Sequence, residues 1–149
     1  VDAIVAALTT AFANASPTVK VWDGPVVSGD YSNAVYVGYD ADPEAVEFIA
    51  VNGLQQWAGL GAKKRDEELD IACAILVNFV ASEDTWKPTR DAAFAIYDIV
   101  GQTLRADPSL GQAPPFVAEI TTHRYSQEPF GDNKWQARIV FGVHIKTRV

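Results

Sequence analysis

Apolar residues at Val1, Ile4, Val5, Leu8 and Phe12 fall on one face of a helix, and Ser16-Pro17 ends the run, so a first helix is predicted over about residues 2–14. Two β-type runs follow, 19–22 and 34–39, punctuated by Asp23-Gly24-Pro25 and Ser28-Gly29-Asp30. Asp42-Pro43 breaks the chain again, and 47–58 reads as a third strand. A loop from Gly59 to Arg65 then leads into the most regular segment. Its odd positions Leu69, Ile71, Cys73, Ile75, Val77 and Phe79 are all apolar, while its even positions change from Asp70 through Ala72 and Ala74 to Leu76, Asn78 and Val80. One face is therefore buried throughout and the other only from midway. This suits a long inner strand whose start projects from the sheet as part of a hairpin arm.

Pro88 opens a second amphipathic helix, with Ala92, Ala93, Ile96, Ile99, Val100 and Leu104 as its apolar stripe, running to about Arg105. Asp107-Pro108 and Pro114-Pro115 bracket a loop. Two closing strands, 116–125 and 134–148, are joined through Glu128 to Asn133. In the last, Trp135, Ala137, Ile139, Phe141, Val143 and Ile145 share one face, with Gln136, Arg138, His144, Lys146 and Arg148 on a wet one. The order helix, four strands, helix, two strands lacks the alternation of a doubly wound fold. It predicts an α+β fold: a mainly antiparallel or mixed sheet, two helices on one face, a protruding β-hairpin, and a single domain over residues 1–149.

Charge alters the picture more than bulk composition does. The net charge of −7 argues against gripping nucleic-acid phosphates over a broad surface. Asp23, Asp30, Asp40, Asp42, Glu44 and Glu47 occur with no base between them, whereas the segment from Ile120 to Val149 carries five bases against two acids. Such a split suits head-to-tail contact between copies. The start of the chain has no basic leader and no run of some 18 apolar residues occurs, so neither export nor membrane spanning is expected.

Candidate chemistry is sparse. The single cysteine, Cys73, lies in an apolar run and reads as a buried thiol, which precludes an intrachain disulfide. His123 and His144 sit in the closing strands without metal-ligand spacing; a small-molecule or catalytic domain would need a deep pocket collecting them with acids. Asp66, Glu67, Glu68 and Asp70 lack the pattern of a calcium loop and have Lys63, Lys64 and Arg65 beside them as counter-charge. Gly59-Leu60-Gly61 lacks the third glycine and the following helix of a dinucleotide site, and neither a P-loop nor a nucleophile elbow occurs. No enzyme, cofactor or metal is expected. Among the four tryptophans, Trp86, in a polar stretch before a helix, is the strongest candidate for an interface anchor.

The stretch Gln55-Gln56-Trp57-Ala58-Gly59-Leu60-Gly61-Ala62-Lys63-Lys64-Arg65-Asp66-Glu67-Glu68-Leu69-Asp70-Ile71 resembles the hairpin of tail terminator proteins of long-tailed bacteriophages, especially those of actinobacteria. Its glycine-containing turn, Arg-x-Glu step and apolar strand carry the likeness. The Val21-Trp22-Asp23-Gly24-Pro25 strand exit, the helix near Trp86 and the closing hairpin extend it as an order of elements. The resemblance implies a virion protein at the head-proximal end of the tail, made and assembled in the host cytoplasm. It would form a ring, hexameric in that family, that ends growth of the tube of major tail protein and presents the surface joining the head-tail connector. DNA would pass through without specific binding. On this reading Lys63, Lys64, Arg65, Glu67 and Trp86 are candidates for contact with a neighbouring subunit or the tube, and Asp40, Asp42 and Glu44 for acids facing the lumen. A head-tail connector or a tube subunit would share the same assembly logic.

Overall fold

The computed structural model describes residues 1–26, 33–42, 47, 49–59, 61 and 63–149. The fold is α+β, as the hydrophobic pattern predicts. Helix α1 spans Asp2–Phe12 and buries Ile4, Leu8 and Phe12. It stops short of residue 14, where Ala15 N–H turns back onto the Phe12 carbonyl at 3.0 Å. Strands β1 (Lys20–Asp23), β2 (Asn33–Val37), β3 (Val51–Trp57) and β4 (Arg65–Val80) follow. Helix α2 then covers Trp86–Ala106, and β5 (Val117–Phe130) and β6 (Lys134–Arg148) close the chain.

The six strands form one sheet in the order β1-β2-β4-β6-β5, with β3 also on β4. Among the described residues only β1 and β2 run parallel; the remaining pairings are antiparallel. Strand β4 is the spine. One of its edges pairs with β6 from Asp66 to Val80, and the other is divided between β3, opposite residues 65–71, and β2, opposite 73–77. At Gly38, with φ of 76°, the chain leaves β2 in a left-handed conformation that glycine adopts without steric cost.

Ile4, Leu8 and Phe12 of α1 and Ala93, Ile96, Val100 and Leu104 of α2 join one buried cluster with Val35, Val37, Ile71, Cys73, Ile75, Val77 and the apolar face of β6. The period-two pattern of β4 and β6 thus meets the helical stripes of both helices in a single core, the arrangement that buries each amphipathic face. On the opposite face a smaller cluster joins Ala34, Tyr36, Ala41 and Ala74, flanked by Trp22, Val26, Tyr39 and Leu76.

Several expected boundaries move. Strand β4 begins at Arg65 and β3 is confined to 51–57, so the hairpin is tighter than the sequence suggests. It is also not a free two-stranded arm: β6 backs β4 down to Asp66, and only the turn beyond Trp57 extends past that support. Helix α2 starts two residues before Pro88. A 3-10 turn, Glu83–Thr85, leads into it, with Ser82 N–H donating to Thr85 Oγ1 at 2.8 Å and that hydroxyl donating to the Val80 carbonyl at 2.8 Å. Proline is tolerated there because the first-turn N–H groups have no helical partner in any case. Strands β5 and β6 run right up to the turn 131–133 instead of opening into a loop at Glu128. The face of β6 expected to be wet is partly covered, since Gln136 is buried and bonds Asn78 Oδ1 at 3.0 Å.

Candidate functional site

Cross-strand register builds a feature that local sequence could not reveal. Successive side chains of a strand alternate between faces, so Asp66, Glu68 and Asp70 stand in one column on the face away from the helices. Opposite them on β6 stand Arg148, Lys146 and His144. Arg148 Nε donates to Asp66 Oδ1 at 2.6 Å. His144 Nδ1 lies 2.7 Å from Asp70 Oδ1, and its Nε2 lies 3.9 Å from Glu68 Oε2. The Arg148 guanidinium holds the Asp66 carboxyl below its ordinary range, chiefly through that hydrogen bond, and Asp66 in turn raises Arg148. The expected counter-charge from Lys63, Lys64 and Arg65 is therefore replaced by a charge ladder from a strand some 80 residues away.

Arg65 faces the other way. Its guanidinium lies 4.5 Å from the Trp57 ring centroid, and Nη1 donates to Gln55 Oε1 at 3.3 Å. Gln55 Nε2 in turn donates to Glu67 Oε1 at 2.8 Å. Arg65 and Glu67 are thereby engaged within the hairpin, whereas Lys63 and Lys64 are exposed at its turn. These four residues gather at one end of the sheet.

Trp86 does not join them. It packs edge-to-face on Trp135, with centroids 4.8 Å apart, beside the far end of β4. At about 3.3 Å per residue, the 16 residues of β4 separate the two ends by roughly 50 Å. Gln127 Nε2 donates to the Trp86 carbonyl and Trp135 Nε1 to that of Ser82, so the helix start is tied to the β5–β6 hairpin. Trp86 is 41% exposed, and Val80 and Phe130 are also exposed at this end. The most open tryptophan is instead Trp57, at 62%. The polar stretch before a helix favours Trp86 as an anchor, whereas the greater exposure of Trp57 follows from the place of its strand in the sheet, which local sequence does not specify.

Asp40 and Asp42 lie in the segment that covers the second face of the sheet. Asp40 Oδ1 accepts the Asp42 N–H at 3.1 Å. Arg138 Nη1 donates to the Ala41 carbonyl at 3.0 Å and lies 3.7 Å from Asp42 Oδ1. Glu44 lies outside the described residues. His123 lies against the Tyr97 ring, centroids 5.4 Å apart and planes tilted by 47°, on the helix side, and His144 points to the opposite face, so among the described residues no pocket gathers both histidines. The groove between α2 and β5, about 380 Å³, is lined by Leu104, Arg105, Pro108, Val117 and Ile120 and contains neither. Cys73 is fully buried and desolvation pushes its thiol up to about 12, which makes it an unreactive core residue.

Strand β3 carries an exposed surface that reaches beyond the candidate residues the sequence singles out. All seven of its residues, VNGLQQW, are exposed, none is charged, and Val51, Leu54 and Trp57 are among the large apolar side chains in water. The legible signal was a strand-like run without a single charge between two turns. Among the described residues no strand pairs with its outer edge.

These features define an α+β protein built on one mixed six-stranded sheet, with surface features concentrated at the ends of its longest strand. Comparison with protein-family models finds no match, and comparison with curated proteins finds none either. Among the described residues no helix is long and apolar enough to cross a membrane.

Proposed function

We propose that this protein is a structural component of a phage virion: a ring of six copies that caps the tail tube, ends its growth and joins the head connector while DNA passes through. The observation that carries the reading is the placement of two unlike exposed surfaces at opposite ends of one sheet. One end presents the uncharged strand β3 and the basic turn with Lys63 and Lys64; the other presents Val80, Trp86 and Phe130. A ring subunit needs unlike surfaces, because each copy meets its neighbours through different patches and meets two different partners above and below. The likeness of residues 55–71 to the tail-terminator hairpin points the same way. The protein acts by assembly and not by catalysis, with Asp40 and Asp42 as the described members of the acidic group expected at the lumen, where negative charge would keep DNA from binding.

Electron microscopy of the protein mixed with tail tubes tests this. A ring-shaped cap at one end of each tube is the expected result. Bare ends and an unchanged distribution of tube lengths would overturn it, and filaments grown from the protein alone would favour a tube subunit.

A further inference from the structure

Sheet edges in stable proteins are blunted against pairing with other chains by shortness, charge, proline or bulges. Among the described residues three strands lie at sheet edges, and two of them follow that rule. Strand β1 has only four residues and carries Lys20 and Asp23. Strand β5 is bulged between Ile120 and Thr122, has its Ala118 N–H bonded to the Pro108 carbonyl at 2.8 Å, and carries Arg124, Glu128 and Pro129. Strand β3 has none of these devices. Val51 is 39%, Leu54 53% and Trp57 62% exposed.

The hydrogen-bond pattern shows which groups on β3 are open. Arg65 exchanges both main-chain bonds with Val149, next to the end of β6, whereas Ala72 N–H donates to the Ala50 carbonyl. Odd residues of β4 therefore bond towards β6 and even ones towards β3. Asn52, Leu54 and Gln56, opposite Asp70, Glu68 and Asp66, spend their main-chain groups on β4. Val51, Gly53, Gln55 and Trp57 direct theirs outward.

We propose that this edge is an interface with a second copy of the same chain, the two β3 strands pairing antiparallel across a two-fold axis at Leu54. The sequence fits its own reverse. Val51 falls opposite Trp57, Asn52 opposite Gln56, Gly53 opposite Gln55, and Leu54 opposite itself. All the outward-facing residues then meet one another, forming about eight main-chain hydrogen bonds, two for each facing pair. No like charges oppose. The same register carries the Lys63–Lys64 turn of one copy towards the segment before β3 in the other, where Glu47 is exposed, so charge complementarity favours a second copy. Because a two-fold contact cannot by itself generate a ring, and β3 is also one of the surfaces on which the tail-cap reading rests, this pairing belongs to the free protein and must open before β3 meets a neighbour in the ring.

Leu54 forms a non-hydrogen-bonded pair with its symmetry mate, at a Cα separation of about 4.5 Å that a disulfide can span. Leu54→Cys is expected to oxidise to a covalent dimer, and Asn52→Cys to form one only when mixed with Gln56→Cys. Buried Cys73 adds no background. Light scattering on the intact chain is expected to give a dimer at tens of micromolar, as an order of magnitude, and Leu54→Lys, which sets two lysines face to face, to weaken it about tenfold or more. A monomer at every concentration, or equal oxidation of Asn52→Cys and Leu54→Cys alone, would overturn the proposal. Cross-linking of Leu54→Cys together with bare tube ends for the intact chain would defeat only the tail-cap reading, and capped tubes without the cross-link only this one.

Discussion

Replacing Arg138 by alanine tests whether the second face of the sheet is held by one side chain. Arg138 sits on β6 with only 13% of its side chain exposed, donates to the Ala41 carbonyl, and faces Asp42, itself 34% exposed. A hydrogen bond from a charged donor to a buried acceptor contributes about 1.5–3 kcal/mol. The ion pair adds less than about 1 kcal/mol, because Asp42 is a third exposed and the 3.7 Å separation is long. Among the described residues Arg138 Nε has no hydrogen-bond partner, so part of the gain is offset by a buried, unsatisfied donor. The expected loss for Arg138→Ala is about 2–3 kcal/mol, read as a lower urea midpoint at unchanged m-value. For a domain of this size that corresponds to a fall in Tm of roughly 4–12 °C. Hydrogen exchange should accelerate at residues 40–42 beyond the global effect. Arg138→Met, which keeps the apolar stem, should lose about half as much. A loss below about 0.5 kcal/mol for Arg138→Ala, with unchanged exchange at 40–42, would refute the assignment of Arg138 as the clasp of this face.

Other expectations follow from the core and the ladder. Leu8→Ala, which empties a fully buried position between α1 and the sheet, should cost about 2–5 kcal/mol in denaturant unfolding. The Cys73 thiol should resist thiol reagents in the folded protein at neutral pH and react at once on unfolding; fast labelling in native buffer would contradict its burial. Asp66, held down mainly by its hydrogen bond from Arg148, contributes stability that is complete above the ordinary carboxylate pKa of about 4 and is lost as pH falls from there through its lower folded value. Asp66→Asn should therefore flatten the acid limb of the stability–pH curve, and an unchanged limb would count against the pair. Gly142→Ala should disturb the β5 bulge, because a Cβ there would sit 3.1 Å from Thr122 Oγ1 and 3.3 Å from Thr121 Oγ1; the check is loss of exchange protection at Thr121 and Thr122.

Sequence alone determined what depends on local periodicity. Apolar spacing located both helices, the alternation in β4 and β6 assigned the face that carries Ile75, Ile139 and Phe141, and the apolar setting of Cys73 marked it as buried. The change from Asp70 to Leu76 on the second face of β4 also announced where cover begins, because burial of a strand face is written in every second residue. Tertiary structure decided everything that depends on which strand lies beside which. Pairing with β6 set Arg148, Lys146 and His144 against Asp66, Glu68 and Asp70, put the two histidines on opposite faces, and buried Gln136 and most of Arg138 on a face whose sequence looks solvated. It also left β3 at an edge and separated Trp86 from the basic turn by the length of β4. Polar strand residues read alike whether they meet water or a partner across the sheet, and register, a non-local property, is what distinguishes the two.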